Sequence, residues 1–91
     1  MQPDPLADLL LYCDPRCHDL LRAVVARGCE VPEIGFELQD EQGRVCAEAE
    51  LAWPDKRVAV VLPERSGAPE TFRGRGWGVF DFTASPDEIP C

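Results

Sequence analysis

The spacing of apolar residues changes along the chain, and each change predicts an element. Leu6 to Tyr12 is a short apolar run, read as one or two helical turns packed on a core. Asp14-Pro15 then marks a helix start: the aspartate can accept from free backbone N–H groups, and proline at the first helical position loses nothing. Cys17, Leu20, Leu21 and Val24 follow at helical spacing, with Arg16, Asp19, Arg22 and Arg27 mostly on the other faces. The pattern predicts a helix over 14–27. Arg27 suits the C-terminal end of its dipole, and Gly28 can take the left-handed cap.

After Val31-Pro32 the period falls to two. Ile34, Phe36 and Leu38 alternate with Glu33, Gly35 and Glu37, as in a strand with one buried face. Asp40-Glu41-Gln42-Gly43 predicts a hairpin turn, its glycine supplying a positive φ. The return strand spans 44–53, with Val45, Ala47, Ala49, Leu51 and Trp53 inward and Cys46, Glu48 and Glu50 on the other face. Pro54-Asp55-Lys56 predicts a second tight turn. Val58-Ala59-Val60-Val61-Leu62, short and rich in β-branched residues, predicts a central strand covered on both faces. Residues 63–67 form a loop. Residues 68–75 predict two helical turns anchored by Phe72 and stopped at Gly76. Trp77, Val79 and Asp81 then alternate with Gly78, Phe80 and Phe82 as a last strand.

The order α-β-β-β-α-β implies an α/β (α+β) domain with a small four-stranded mixed sheet, helices on both faces, and a parallel final strand pair. Residues 1–91 are expected to form one domain, with 84–91 as a tail. Ser85-Pro86-Asp87-Glu88 in that tail starts a helix that the chain does not complete, as in a piece excised from a larger protein.

Charge and cysteine content narrow the function classes. Seventeen acidic against nine basic residues give a formal net charge of −8, and Lys56 is the only lysine. Such a balance repels phosphate backbones and argues against strong nucleic-acid binding by the isolated chain. No apolar run reaches membrane-spanning length. Met1-Gln2-Pro3-Asp4-Pro5 lacks the positive charge of a secretory signal, so a cytoplasmic location is expected. Cys13, Cys17, Cys29, Cys46 and Cys91 are an odd set without framework spacing, and they read as reduced thiols, buried or half-buried. The alternative is a zinc site of Cys13, Cys17, His18 and Cys29, although Pro15 interrupts the local register and paired knuckles are absent.

Candidate chemistry gathers on the hairpin. Glu33, Glu37, Glu48 and Glu50 are expected on one face, where like charges call for solvent, arginines from a covering helix, or a hard cation such as magnesium. Asp81 is an isolated strand carboxylate. His18 beside Cys17 does not make a thiol-activating pair, because neighbours on a helix face different ways. Arg65, Arg73 and Arg75, near Trp77, form the only basic-aromatic patch and the candidate nucleic-acid contacts.

Ala49-Glu50-Leu51-Ala52-Trp53-Pro54-Asp55-Lys56-Arg57-Val58-Ala59-Val60-Val61-Leu62-Pro63-Glu64, followed by Phe72-Arg73-Gly74-Arg75-Gly76-Trp77-Gly78-Val79-Phe80, resembles the core of the PD-(D/E)XK, restriction-endonuclease-like superfamily. The branch most similar contains the very-short-patch-repair endonucleases. The stretch from about Leu20 to Phe82 is also similar to segments at the C-terminus of bacterial DEAD/DEAH-box helicases, through Pro-Glu-Ile-Gly-Phe-Glu-Leu, Ala-Glu-Ala-Glu-Leu-Ala-Trp-Pro, Val-Ala-Val-Val-Leu-Pro-Glu and Gly-Trp-Gly-Val-Phe. The resemblance places Glu50 at the family's first acidic position, Val61 at the second, and Pro63 where a lysine often stands. It implies a degenerate nuclease that is not an enzyme by itself, needs no cofactor, and docks with a helicase or other DNA-processing domain. Two alternatives stay open. One is a residual magnesium-dependent endonuclease using Glu50 with Glu37 or Glu48. The other is an acidic protein-interaction module.

Overall fold

The computed structural model describes Pro5 to Cys91; Met1–Asp4, on which the reading of the N-terminus as no secretory signal partly rests, lie outside the described residues. Helix α1 spans Pro5–Tyr12. Asp14 then caps the next helical segment as its sequence predicts, its side chain accepting from the Arg16 N–H at 2.9 Å. That segment opens as a 3-10 turn over Pro15–Cys17 and continues as α2, His18–Ala26, with Leu20, Leu21 and Val24 buried.

The hairpin follows. Strand β1, Glu33–Gln39, pairs antiparallel with β2, Val45–Trp53. The Asp40 side chain ties the turn by accepting from the N–H groups of Gln42 and Arg44 at 2.8 and 2.9 Å. A 3-10 turn over Pro54–Lys56 leads into β3, Val58–Val60, which is buried throughout. Helix α3, Ala68–Gly74, carries the chain to β4, Gly78–Phe80, which lies parallel to β3. The result is the expected four-stranded mixed sheet, in the order β1-β2-β3-β4. Among the described residues no helix is long and apolar enough to cross a membrane.

Each face of the sheet buries its own apolar cluster. Helices α1 and α2 pack over Leu51, Trp53, Val58, Val60 and Leu62. Helix α3 packs Ala68 and Phe72 over Ala47, Ala49, Ala52, Ala59 and Val61 on the opposite face. Small alanines let α3 lie close to the strands, and the volume is filled by Phe72, Phe36 and Trp77, with ring centroids 5.1 to 6.4 Å apart.

One expectation about the hairpin is corrected. Residues two apart in a strand ordinarily share a face, and the alternation put Val45 through Trp53 in a single inward set. Instead Ile34 and Leu51 pack beneath α1 and α2, while Phe36, Ala47 and Ala49 pack beneath α3, and Val45 is exposed. The ribbon turns over at Gly35, whose φ of +66° lies in the left-handed region that side chains rarely adopt. This reversal decides where Glu50 goes.

A second correction concerns sulfur. Cys29 and Cys91, expected as thiols, form a disulfide with Cα atoms 5.3 Å apart. It fastens the tail, whose aborted helix is a 3-10 turn over Pro86–Glu88, beside the end of α2. Ile89 is fully buried in the same cluster, and the Arg27 guanidinium donates to the carbonyls of Pro86 and Ile89.

Candidate functional site

The turned ribbon points Glu50 toward the α1–α2 junction. Its Oε1 accepts a hydrogen bond of 2.6 Å from the backbone N–H of Asp14. Beside it, Arg16 lies between two further carboxylates. Its Nε and Nη2 donate to Asp14 at 3.0 and 3.1 Å, and its Nη1 and Nη2 donate to Glu64 at 2.6 and 2.8 Å. The guanidinium also stands 5.4 Å from the centre of the Phe82 ring, within reach of its negative face. These bonds hold the Asp14 and Glu64 carboxyls below their usual range, chiefly by hydrogen bonding to Arg16, and raise the guanidinium further. Asp14, Arg16, Glu50 and Glu64 are therefore one polar cluster, built around the acid that the sequence resemblance singled out.

Sequence reasoning did not find this cluster. Asp14 read as a helix cap and Arg16 as a polar-face residue, while Glu64 carried no assigned role. Arg16 and Glu64 lie 48 positions apart and Asp14 and Glu50 lie 36 apart, beyond any local pattern.

The predicted acids do not converge. Glu37 and Glu48 are direct cross-strand partners, and Glu48 is paired with Arg65 at 3.1 Å, while Glu50 has been carried to the α1–α2 side. The expected repulsion is thus relieved by an arginine. Glu33 is exposed at the start of β1. Among the described residues no three carboxylate, thiol or imidazole groups stand together as a metal site.

Magnesium does not fit the positions that the resemblance would assign to it. Hard cations take carboxylate, carbonyl and water oxygens. Glu50 is engaged by the Asp14 N–H, a cationic guanidinium separates Asp14 from Glu64, and the Val61 side chain, 3% exposed, is packed in the α3 cluster. Valine has no donor atom to offer, and proline at 63 has no side-chain polar group to activate a water.

The three arginines do not form one patch. Arg65 and Arg73 rim a cavity of about 580 Å³ at the C-terminal ends of β3 and β4, with Glu70 and Asp81 on the same rim. Arg75 instead faces the carbonyl of Gln39 at 3.5 Å, and Trp77 is turned into the aromatic cluster. Two cations balanced by two anions make a weak footprint for a phosphate backbone. Asp81 is occupied locally, accepting from the N–H and the hydroxyl of Thr83, which lowers its carboxyl's pKa.

The zinc and thiol-catalysis readings end in the core. Cys29 is bonded to Cys91, and the His18 ring contacts the carbonyl of Leu10 at 2.8 Å. Cys13 and Cys17 are buried. Burial, reinforced by the Glu50 charge, raises the Cys13 thiol and pushes Cys17 up to about 12, so neither supplies a thiolate near neutral pH. Cys46 alone of the three free thiols is exposed. Native protein treated with iodoacetamide at pH 8 is accordingly expected to gain one adduct, on Cys46. Rapid labelling of Cys17 without unfolding, seen by peptide mass spectrometry, would contradict this placement.

The chain matches no protein-family model, and comparison with curated proteins and with solved structures found no significant match.

Proposed function

We infer that this chain is a catalytically degenerate, restriction-endonuclease-like accessory domain of a cytoplasmic, helicase-type DNA-processing protein, and that it serves docking or substrate positioning. The observation that carries the reading is the state of Glu50. The only family acid retained in sequence accepts from the Asp14 backbone at 2.6 Å, while the second acidic position is an aliphatic side chain inside the core. In-line attack on a phosphodiester requires charge neutralisation at the phosphate and an activated water. One engaged carboxylate supplies neither. The mixed sheet with its parallel β3–β4 pair and intervening helix agrees with the resemblance at the level of architecture. The net charge of −8 agrees with a protein partner better than with direct binding to DNA.

The test is cleavage. Single-stranded, duplex and branched DNA incubated with the protein in magnesium or manganese are expected to remain intact, with wild type and Glu50→Gln indistinguishable. Metal-dependent cutting that Glu50→Gln abolishes would restore the endonuclease alternative. Attachment is tested separately by the surrounding reading frame, which is expected to encode a helicase motor.

A further inference from the structure

Three attachments hold the segment Pro86–Cys91 to the rest of the fold, and one of them is chemically reversible. Ile89 is fully buried in the cluster beneath α1 and α2, the Arg27 guanidinium donates to the carbonyls of Pro86 and Ile89, and Cys91 is bonded to Cys29. Among the described residues no backbone hydrogen bond ties the segment to the sheet. The N–H groups of Ala84, Glu88, Ile89 and Cys91 donate to the carbonyls of Asp81, Ser85, Pro86 and Ile89, so the segment and the turn leading into it bond to themselves. Strand β4 ends at Phe80, where its pairing with β3 stops. Lifting the segment away therefore leaves every strand paired, which is the condition for a local opening rather than a global one.

The two sulfurs stand on unlike supports. Cys29 closes α2: its N–H donates to the Val24 carbonyl at 3.1 Å and that of Gly28 to the Val25 carbonyl at 3.0 Å, the paired bonds that end a helix through a left-handed glycine. Cys91 is carried by the segment alone, its N–H donating to the Ile89 carbonyl. One sulfur is thus fixed to the core and the other to the part that can lift. Both residues are half-buried, so a dithiol reaches the bond without unfolding the domain.

We propose that the Cys29–Cys91 bond is a redox-operated strap. Oxidised, it fixes Pro86–Cys91 over the seat of Ile89. Reduced, it leaves the segment exchanging between a docked majority, held by Ile89 and Arg27, and an undocked minority. In the reducing step a thiolate of a dithiol, small molecule or protein, attacks one sulfur and the other cysteine departs as a thiolate and takes up a proton. The second sulfur of the dithiol then breaks the mixed disulfide, so two electrons and two protons pass to Cys29 and Cys91 and the dithiol leaves oxidised. Linkage makes the effect reciprocal. The docked contacts keep the Cys91 thiol concentrated at Cys29, so Ile89 and Arg27 also set how readily the bond is reduced. The strap goes beyond the docking reading and does not rest on it.

The test uses the whole chain, oxidised and then equilibrated with dithiothreitol. Amide hydrogen exchange over 86–91, read by mass spectrometry, is expected to quicken about tenfold on reduction, because opening no longer has to keep a loop closed. Over the same interval β2 and β3 keep their protection, and reoxidation restores the slow segment. The second measurement is the ratio of reduced to oxidised dithiothreitol that half-reduces the bond. Ile89→Ala is expected to lower it about tenfold, since the truncated side chain leaves its seat more readily, and Arg27→Ala about threefold. Tyr12→Ser, at an exposed position of α1, leaves it unchanged. Arg27 is exposed, so its variant keeps the fold and decides the matter if Ile89→Ala does not fold. Unchanged exchange over 86–91 after reduction, loss of protection in β2 and β3 along with it, or half-reduction of either folded variant at the wild-type ratio would each overturn the proposal.

Discussion

Phe72→Ala is expected to remove much of the domain's stability. Phe72 is fully buried and is the side chain through which α3 reaches the alanine-lined face of the sheet, against Phe36 and Trp77. Truncating a buried phenylalanine costs about 3–5 kcal/mol, from lost transfer energy and from the cavity left behind. The alanines at 47, 49, 52 and 59 cannot fill that space, because their side chains end at Cβ, so the upper part of the range applies. A domain of this length is stable by only roughly 5–14 kcal/mol. At about 4–8 °C per kcal/mol, the melting temperature should fall by at least about 12 °C. Tyr12→Ser, at an exposed position, should change stability by no more than about 0.5 kcal/mol and serves as the control. A loss below about 1 kcal/mol for Phe72→Ala in urea denaturation would mean that α3 does not close a packed core.

The second large effect is expected from the tail. Cys29 and Cys91 close a loop with a sequence separation of 62, and cross-linking a loop of that length lowers the entropy of the unfolded chain by an amount worth about 4 kcal/mol. Cys29→Ser with Cys91→Ser should therefore lower the urea midpoint strongly. It should also raise the denaturant slope, since an unfolded chain without the cross-link exposes more surface. The tail should stay docked in the variant, because Ile89 remains buried and Arg27 still donates to its carbonyls. An unchanged midpoint, or free thiols at both positions in protein purified without reductant, would refute the assignment. The prediction bears on the proposed location. A reducing cytoplasm disfavours structural disulfides, so a domain working there relies on Ile89 and the arginine contacts to hold its tail.

How far each feature could be read from the chain follows from the range of the interaction that makes it. The cap at Asp14, the hairpin turn at Asp40–Gly43, the buried strand at Val58–Val60 and the anchor at Phe72 are all set by neighbours within a few positions. Caps, turn geometry and hydrophobic period act at that distance, so these elements stand where the residues placed them, except that the strand expected over 58–62 is shorter. The parallel β3–β4 pair was equally legible, because a strand, a helix and a second strand in succession leave few ways to pack. The sharing of one inward face along 45–53 was not legible. It depends on Gly35, a residue that reads as one more small position in an alternating strand until its partner strand shows both halves of the ribbon buried on opposite faces.

The amino-acid order thus settled the elements, their succession, the aliphatic character of Val61 and the acidity of the whole. Packing in three dimensions decided the rest: Glu50 is bonded to Asp14, Arg16 reaches Glu64, and Cys29 meets Cys91. Each of those pairings joins residues more than thirty positions apart, whose separation in space is fixed only once both faces of the sheet have buried their clusters. Local periodicity carries no information about such distances, because the free energy that closes them comes from burying surface contributed by the entire chain.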